Sequence, residues 1–212
     1  MRAVLDGCAC PAPAKPAPPA ESRVSSLDVP HHRMIAAENR NDMWYVAQVQ
    51  AGSETATRDK CLQTVPHEVM RSCFVPEYET MRKVDGDWHK VKRLLFSGYL
   101  FLVARDAGEL GGWLKRVPAR MRLLGAGDGA VSPLSPGERD WFLSFMDDSH
   151  CVRMSEGVIE GDQVRVTKGP LMGSEGCIRK IDRHKRRASI EMTMFGRTVT
   201  ASVGLEVFRK TA

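Results

Sequence analysis

The apolar run Tyr99–Ala104 constrains the fold of this chain most. Its six residues, Tyr-Leu-Phe-Leu-Val-Ala, include no charged side chain. A strand at the edge of a sheet usually carries polar or charged residues, because its open side faces water. A run that lacks them is typical of a strand buried between neighbours. We therefore expect Tyr99–Ala104 to be a central strand.

The sequence on both sides of this run predicts further strands and helices. Asp85-Gly86 is a strong two-residue turn signal and predicts a long hairpin with arms at 71–83 and 88–95. Ser53 is a suitable N-cap for a helix that ends near residue 64. The other elements predicted here are strands at 44–49 and 119–124 and helices at 107–116 and 136–147.

Two of the predicted helices begin at capping sequences. Asp106 and Ser135 are each followed three positions later by a glutamate, and Pro136 occupies the first helical position after Ser135. The element order is then β, α, β, β, β, α, β, α. Strands mixed with helices that cover one face predict an open α/β sandwich over residues 43–149.

The pattern changes after His150, where the helical signals stop. Residues 150–160 are predicted to be a linker, and residues 161–212 contain short alternating runs separated by glycine-bearing turns. Such runs predict a small β-barrel. Its strands are expected at 163–167, 176–181, 188–194, 198–203 and 205–208.

The first 42 residues are predicted to be a disordered leader. They contain six of the twelve prolines and no aromatic residue. Such a segment cannot bury enough apolar surface to offset the entropy of ordering. The alternative interpretation is that translation begins later, at Met34 or Met43.

Several function classes are disfavoured by the sequence. The longest apolar run is far shorter than the roughly 20 residues of a membrane span, and the first residues lack the apolar core of a signal peptide. A cytoplasmic protein without membrane attachment is expected, with its six cysteines as free thiols. No spacing of Cys or His is typical of a zinc site, and no catalytic motif is visible. We therefore expect no metal, no cofactor and no enzymatic activity.

The net charge of +5 is unevenly distributed. Residues 161–212 contain 11 Lys or Arg and five Asp or Glu, a net charge of +6, whereas the rest of the chain carries −1. The segment 179–187 holds most of these cations. Clusters of this kind give salt-dependent affinity for nucleic acids, although a charge run is also compatible with a solvated face. The candidate nucleic-acid-binding residues are Arg165, Lys168, Arg179, Lys180, Arg183, His184, Lys185, Arg186, Arg187 and Arg197.

Two sets of motifs resemble the NusG family of transcription elongation factors. Met43-Trp44-Tyr45-Val46 and Phe96-Ser97-Gly98-Tyr99 resemble the start and the Phe-Pro-Gly-Tyr strand of the NusG amino-terminal (NGN) domain. Gly161-Asp162-Gln163-Val164, Gly169-Pro170 and Phe195-Gly196-Arg197 resemble the KOW domain that follows it. The resemblance implies an α+β fold, with a ferredoxin-like antiparallel sheet and helices followed by an SH3-like β-barrel.

The resemblance also implies a binding surface for RNA polymerase. Tyr99 and Phe101 alternate with Leu100, so the two rings share one sheet face. If helices cover only the other face, these rings are available to a protein partner; the alternative is that both faces are core. In the family this strand docks on the clamp helices of RNA polymerase, which implies Phe96, Tyr99 and Phe101 as contacts, with Tyr45 at their flank.

A further set of basic residues lies in the predicted NGN domain. These residues are candidates for contact with non-template DNA of the transcription bubble, and solvated surface charge is the equal alternative. They are Lys90, Lys92, Arg93, Arg116, Arg120 and Arg122.

The KOW domains of relatives bind ribosomal protein S10 or the termination factor Rho through aromatic side chains. Here Phe195 matches one such position, whereas Leu171 and Ser174 stand where phenylalanine is usual in the general factors. Fewer aromatic anchors and more basic charge resemble the specialised LoaP-type paralogs, which bind an RNA hairpin, and to a lesser degree RfaH, which reads DNA. The sequence therefore predicts a monomeric antiterminator that binds RNA polymerase and nascent RNA. The alternatives are a general factor coupled to S10 or Rho and a ribosome-associated RNA-binding protein.

Overall fold

The computed structural model describes residues 42–125, 130–160 and 163–209. All of them belong to one compact unit of the chain. The predicted leader, apart from residue 42, lies outside the described residues, as do Gly161 and Asp162 of the KOW-like motif. None of the helices in the described ranges could span a bilayer, since the longest has 11 residues.

The first part of the chain combines strands with three helices along residues 42–152. Its elements are β1 (Met43–Val49), α1 (Glu54–Thr64), β2 (Met70–Phe74), β3 (Glu77–Val84), β4 (Asp87–Leu94), β5 (Tyr99–Ala104), α2 (Ala107–Leu114), β6 (Met121–Leu123), α3 (Pro136–Phe145) and β7 (Cys151–Val152). The caps of α2 and α3 are confirmed, because Asp106 accepts a hydrogen bond from the Glu109 N–H and Ser135 forms a reciprocal capping box with Glu138.

Strand β5 is central, as predicted. It lies between β2 and β1 in a four-stranded sheet of order β2-β5-β1-β6, and all pairings are antiparallel. The register sets Trp44 opposite Val103 and Phe74 opposite Phe101. Antiparallel strands with helices agree with the predicted α+β class.

Helices cover both faces of this sheet, so the prediction of one covered face is wrong. Helices α1 and α2 pack on the face that carries Leu100 and Leu102. Helix α3 packs on the opposite face, where Phe142 contacts Phe101 with ring centroids 5.2 Å apart. The third helix covers this face because it presents aromatic residues to the sheet.

The predicted hairpin is shorter than expected at its first arm. Residues 71–74 belong to β2 and pair with β5, whereas only Glu77–Val84 pairs with β4. Pro76 stands between the two strands, and its lack of an N–H interrupts the ladder. Strands β4, β3 and β7 therefore form a separate three-stranded sheet.

The second part of the chain is entirely β apart from a short 3-10 turn at Glu175–Cys177. Its strands, β8 (Ser155–Glu160), β9 (Gln163–Lys168), β10 (Ile178–Asp182), β11 (Arg187–Met194) and β12 (Arg197–Arg209), form one sheet of order β10-β11-β12-β8-β9. This β-rich domain agrees with the predicted fold class. The two strands expected at 198–203 and 205–208 are one strand.

The predicted linker at 150–160 is also corrected by the strand pairing. Strand β7 pairs in parallel with β3, and β8 pairs with both β9 and β12. Sequence patterning missed β8 because Ser155, Glu156 and Gly157 lack the alternation of a half-buried strand. Gly157 is required there, since a Cβ at this position would lie 2.8 Å from the Arg165 carbonyl oxygen.

Candidate binding surfaces

The aromatic residues predicted to bind polymerase lie in a ring cluster between the sheet and α3. Phe96 stacks on Phe101 with centroids 6.3 Å apart, and its edge meets Phe142 at 6.0 Å. Phe96 is 5% exposed and Phe101 is completely buried. These two rings are core residues in this structure, so the expectation of an open aromatic face is wrong for them. Tyr99 differs, because it is half-buried at the rim of the cluster.

Tyr45 does not flank these rings. It lies on the opposite face of the sheet, in the cluster with Leu100 and Leu102, and is 1% exposed. Burial raises the pKa of its phenol, and the charge of Asp106 adds to this effect. The predicted position of Tyr45 is wrong because side chains alternate along β1. Trp44 is on the face that contacts Phe74 and Phe101, so Tyr45 is on the other face.

A buried carboxylate fixes the loop between Phe96 and Tyr99. Glu54, at the start of α1 and 2% exposed, accepts hydrogen bonds from the Gly98 N–H at 2.6 Å and the Ser97 hydroxyl at 3.3 Å. Burial alone would raise the pKa of Glu54, but these hydrogen bonds and those of its own backbone and Gly52 lower it. Gly98 has φ +82°, a left-handed conformation that glycine adopts without strain. Sequence reasoning missed Glu54, because a glutamate in a first helical turn ordinarily indicates only a helix terminus.

The tip of the β11–β12 hairpin in the β-rich domain lies close to Tyr99. Tyr99 and Phe195 both line a cavity of about 150 Å³, together with Arg122 and Arg197. The Gly196 N–H donates to Glu138 of α3 at 3.4 Å. Phe195, the predicted adaptor residue, is therefore partly buried against the first domain.

A second contact between the domains lies at β3. A Cβ at Gly204 would come within 2.2 Å of the Glu79 carbonyl oxygen, so only glycine permits this approach of β12. The Glu79 carboxylate, 5% exposed, accepts hydrogen bonds from Arg153 at 2.7 Å and from the Met154 N–H at 3.2 Å. Burial would raise the pKa of Glu79, but these hydrogen bonds and the charge of Lys90 lower it.

A third contact joins the tip of the β3–β4 hairpin to the turn between β10 and β11. The Arg186 guanidinium lies 4.3 Å from the centre of the Trp88 ring, a cation–π distance. Its Nη1 also pairs with Glu206 of β12 at 2.8 Å. Sequence reasoning overlooked Trp88, although an indole beside the Asp85-Gly86 turn in a polar stretch is itself a signal of a contact.

The cationic turn between β10 and β11 is open to solvent. Arg183, His184 and Lys185 are exposed, and Arg186 and Arg187 are half-buried. Asp182 accepts a hydrogen bond from the Lys185 N–H at 3.0 Å, and this bond lowers the pKa of the Asp182 carboxyl. The turn therefore has a defined backbone and presents its cations outwards.

The other predicted nucleic-acid-binding residues are distributed over the domain. Arg179 pairs with Glu191 at 2.6 Å, and Lys180 is exposed beside it on β10. Arg165 and Lys168 lie on β9, at the other end of the sheet order from β10. Arg197 lies beyond the far end of β11, roughly 23 Å from Arg187 at 3.3 Å per residue. Arg197 therefore does not extend the turn as predicted, and it lies instead beside Tyr99.

The described residues offer few candidates for metal binding or for a reactive thiol. No group of three or more His, Cys, Asp or Glu side chains in residues 42–125, 130–160 and 163–209 could hold a metal ion. Cys61, Cys73, Cys151 and Cys177 are free thiols. Burial raises the pKa of Cys151 to about 11, so this thiol stays protonated near neutral pH.

Comparison with known proteins supports the resemblance seen in the sequence. The family model described as transcription termination factor nusG matches residues 42–143. The transcription termination/antitermination protein NusG of Haemophilus influenzae is 28% identical over 159 residues, which cover 73% of this chain and 86% of that protein. The protein of the same description from Pasteurella multocida is 27% identical over 173 residues, covering 79% and 94%.

A solved structure, "Domain interaction in Thermotoga maritima NusG", is 16% identical and matches with a TM-score of 0.43. The match covers 77% of this chain and 93% of the Thermotoga maritima chain, and the similarity is too low for the domain arrangements of the two proteins to be compared. The family model and the relatives agree with each other, because all are described as NusG, a transcription termination or antitermination protein. By these comparisons, the chain is similar to NusG proteins.

Proposed function

We propose that this protein is an operon-targeted antitermination factor. Its first domain binds RNA polymerase, and its β-rich domain binds a hairpin in the nascent leader RNA. The observation that carries the RNA part is the β10–β11 turn, where Arg183, His184 and Lys185 are exposed on a defined backbone. Two weak contacts with one transcription complex add through effective concentration, so neither has to be tight.

Polymerase binding is proposed to use Tyr99 rather than the whole aromatic set. Phe96 and Phe101 are buried under α3, whereas Tyr99 is half-buried at the edge of that helix. The tip with Phe195 lines the same cavity as Tyr99. A partner that binds at Tyr99 would therefore lie next to the β11–β12 tip.

The position of Phe195 favours this function over the general factor coupled to S10 or Rho. The adaptor role needs exposed aromatic anchors on the β-rich domain, and Phe195 is partly buried against the first domain. The third possibility, a ribosome-associated RNA-binding protein, predicts cosedimentation with ribosomes without polymerase binding. Polymerase capture therefore separates it from the proposed function.

The RNA contact is tested by charge reversal in the turn. Arg183→Glu with Lys185→Glu should greatly weaken binding of the full chain to leader RNA hairpins, measured by fluorescence anisotropy, and should reduce the salt dependence of binding. The matched control is Lys60→Glu with Lys115→Glu, which changes two exposed cations on the α1 and α2 side of the first domain. Equal RNA affinity of the turn variant and the control would reject the RNA function.

The polymerase contact is tested by Tyr99→Ala. Capture of RNA polymerase by the variant should fall while RNA affinity stays unchanged. Trp113→Ala is the control, because Trp113 is also half-buried and lies on α2, across the sheet. Undiminished capture by the Tyr99 variant would remove this residue from the polymerase surface.

A further inference from the structure

We propose that the β3–β4 hairpin and the β10–β11 turn form one RNA-binding surface that is built by both domains and fits the double-helical stem of an RNA hairpin. The inference rests on the proposed RNA function of the β-rich domain. It adds a second half to the site, in the domain otherwise assigned to polymerase.

The hairpin supplies the first half of the surface. Strand β4 is at the edge of its sheet, and six of its eight residues are exposed. Residues 82–93 contain five Lys or Arg and two Asp. All five cations are exposed: Arg82, Lys83, Lys90, Lys92 and Arg93.

The strand register places some of these cations beside Trp88. Lys83 is directly opposite Trp88, and Lys90 and Lys92 alternate with the exposed His89 so that they share the face of the indole. Lys90 pairs with Glu79 at 3.7 Å, but its side chain remains 60% exposed. The face that carries Trp88 is therefore a cationic strip along β4, about 13 Å long from Trp88 to Lys92 at 3.3 Å per residue.

The Arg186–Trp88 contact joins this strip to the β10–β11 turn. Arg186 has φ +49°, and its guanidinium is held between the indole, 4.3 Å away, and Glu206. The exposed residues Arg183, His184 and Lys185 come just before it in the chain. Cations of the two domains thus meet at one point, and the surface continues from β4 to the turn.

The chemistry of this surface favours a duplex over a single strand. Proteins that bind single-stranded nucleic acid stack bases on open aromatic faces. Here the guanidinium of Arg186 occupies a face of Trp88, and the other exposed side chains on that face of the hairpin, Lys83, Lys90 and Lys92, are cations, which contact phosphates. Double-stranded RNA is recognised by shape and backbone contacts over about 16 base pairs. A cationic surface that extends over two elements matches such an array of phosphates.

The experiment uses the full chain and an RNA hairpin with a stem of about 16 base pairs and a short loop. The test variant is Lys83→Gln with Lys92→Gln, and the matched control is Lys60→Gln with Lys115→Gln, which removes the same charge from two exposed positions on the α1 and α2 side. Loss of two phosphate contacts should weaken binding roughly tenfold near physiological salt and lower the slope of log K against log salt by about 1.5. The control should stay within about twofold of the unmodified chain.

The outcomes separate this proposal from the RNA function itself. If Arg183→Gln with Lys185→Gln weakens binding but the hairpin variant equals the control, the β-rich domain binds RNA alone and the two-domain surface is overturned. If neither variant weakens binding, the RNA function fails as well. A single-stranded RNA or a DNA hairpin of the same sequence that binds as tightly would overturn the assignment to an RNA stem.

Photocrosslinking of the same hairpin, carrying 4-thiouridine in its stem, gives a second measurement on the unmodified chain. We expect crosslinked peptides from residues 82–93 and from the segment around Arg183. Crosslinks restricted to the second segment would overturn the two-domain surface.

Discussion

The ring cluster around β5 and the turn between β10 and β11 are the two extremes of burial among the candidate surfaces. Phe101 is completely buried between β2, β1 and α3, whereas Arg183, His184 and Lys185 lie in solvent. The rings stabilise the fold through contacts with one another, so they are not free to serve a partner. The cations contribute little to the fold, so they are free to do so. Tyr99 lies between these extremes, because it packs at the rim of the ring cluster and is still half-exposed.

The largest effect is expected from Phe101→Ala. Its ring contacts Phe74 at 5.5 Å and Phe142 at 5.2 Å, and truncation of a buried phenylalanine lowers the free energy of unfolding by about 3–5 kcal/mol. Urea denaturation measures this loss. Tyr99→Ala should give a clearly smaller loss, because Tyr99 is half-buried. A stable Phe101 variant that fails only in polymerase capture would show that the ring belongs to the binding surface.

Glu54→Gln tests the anchor of the loop that carries Phe96 and Tyr99. The amide cannot accept as strongly from the Gly98 N–H, and we expect a loss of about 1–3 kcal/mol in the free energy of unfolding at neutral pH. The folded-state pKa of Glu54 is below its ordinary value of 4.5, so its stabilisation is present above pH 4.5 and is lost as the pH falls through the lowered pKa.

The variant should therefore approach the stability of the unmodified chain in acid. Glu68→Gln is the control, since Glu68 is exposed between α1 and β2. A constant difference between Glu54→Gln and the unmodified chain across this pH range would contradict the role of the ionised carboxylate.

Much of the fold could be predicted from local sequence, and the reason differs between elements. The central position of β5, the turn at Asp85-Gly86 and the caps at Asp106 and Ser135 depend on residues close in the chain. The cover of the ring cluster by α3 could not be predicted, because it depends on packing between distant segments. An apolar strand such as Tyr99–Ala104 has the same sequence whether its second face meets a helix or a partner.

The same distinction applies to the candidate site. A run of charge such as 179–187 must face water, and its exposure was predictable from the residues alone. The contact of Arg186 with Trp88 lies between residues almost a hundred positions apart, so the indole beside the turn could indicate that a contact exists but not that Arg186 makes it. The role of Glu79 could not be predicted from the sequence either, because its burial depends on the approach of Gly204 and on Arg153.

His150→Asn tests the ring cluster at its edge through a smaller effect of pH. The imidazole stacks on Phe74 with ring centroids 3.6 Å apart, and burial lowers its pKa although the charges of Asp147 and Asp148 oppose this. The neutral form is favoured, so the stabilisation is present above the ordinary pKa of 6.5 and is lost as the pH falls through the lowered folded-state value.

Asparagine accepts the left-handed backbone at this position, where φ is +56°. The melting temperature of the unmodified chain should therefore fall more between pH 7.5 and pH 5.5 than that of the variant. His89→Asn, at an exposed position on β4, should retain the full fall. Identical pH dependence of His150→Asn and the unmodified chain would show that His150 is not the group responsible.

The smallest effect is expected at the contact between Arg186 and Trp88, which joins the β10–β11 turn to β4 of the first domain. A cation–π pair at a partly exposed site contributes about 0.5–1 kcal/mol, and Trp88 is 36% exposed. A double-mutant cycle of Trp88→Ala and Arg186→Ala should give a coupling energy of this size in urea denaturation. Trp88→Phe keeps an aromatic face and should retain part of the coupling, whereas Trp88→Leu should lose it. A coupling energy of zero would mean that the first domain and the cationic turn are neighbours without an energetic link, and the β4 strip would then act independently of the β-rich domain.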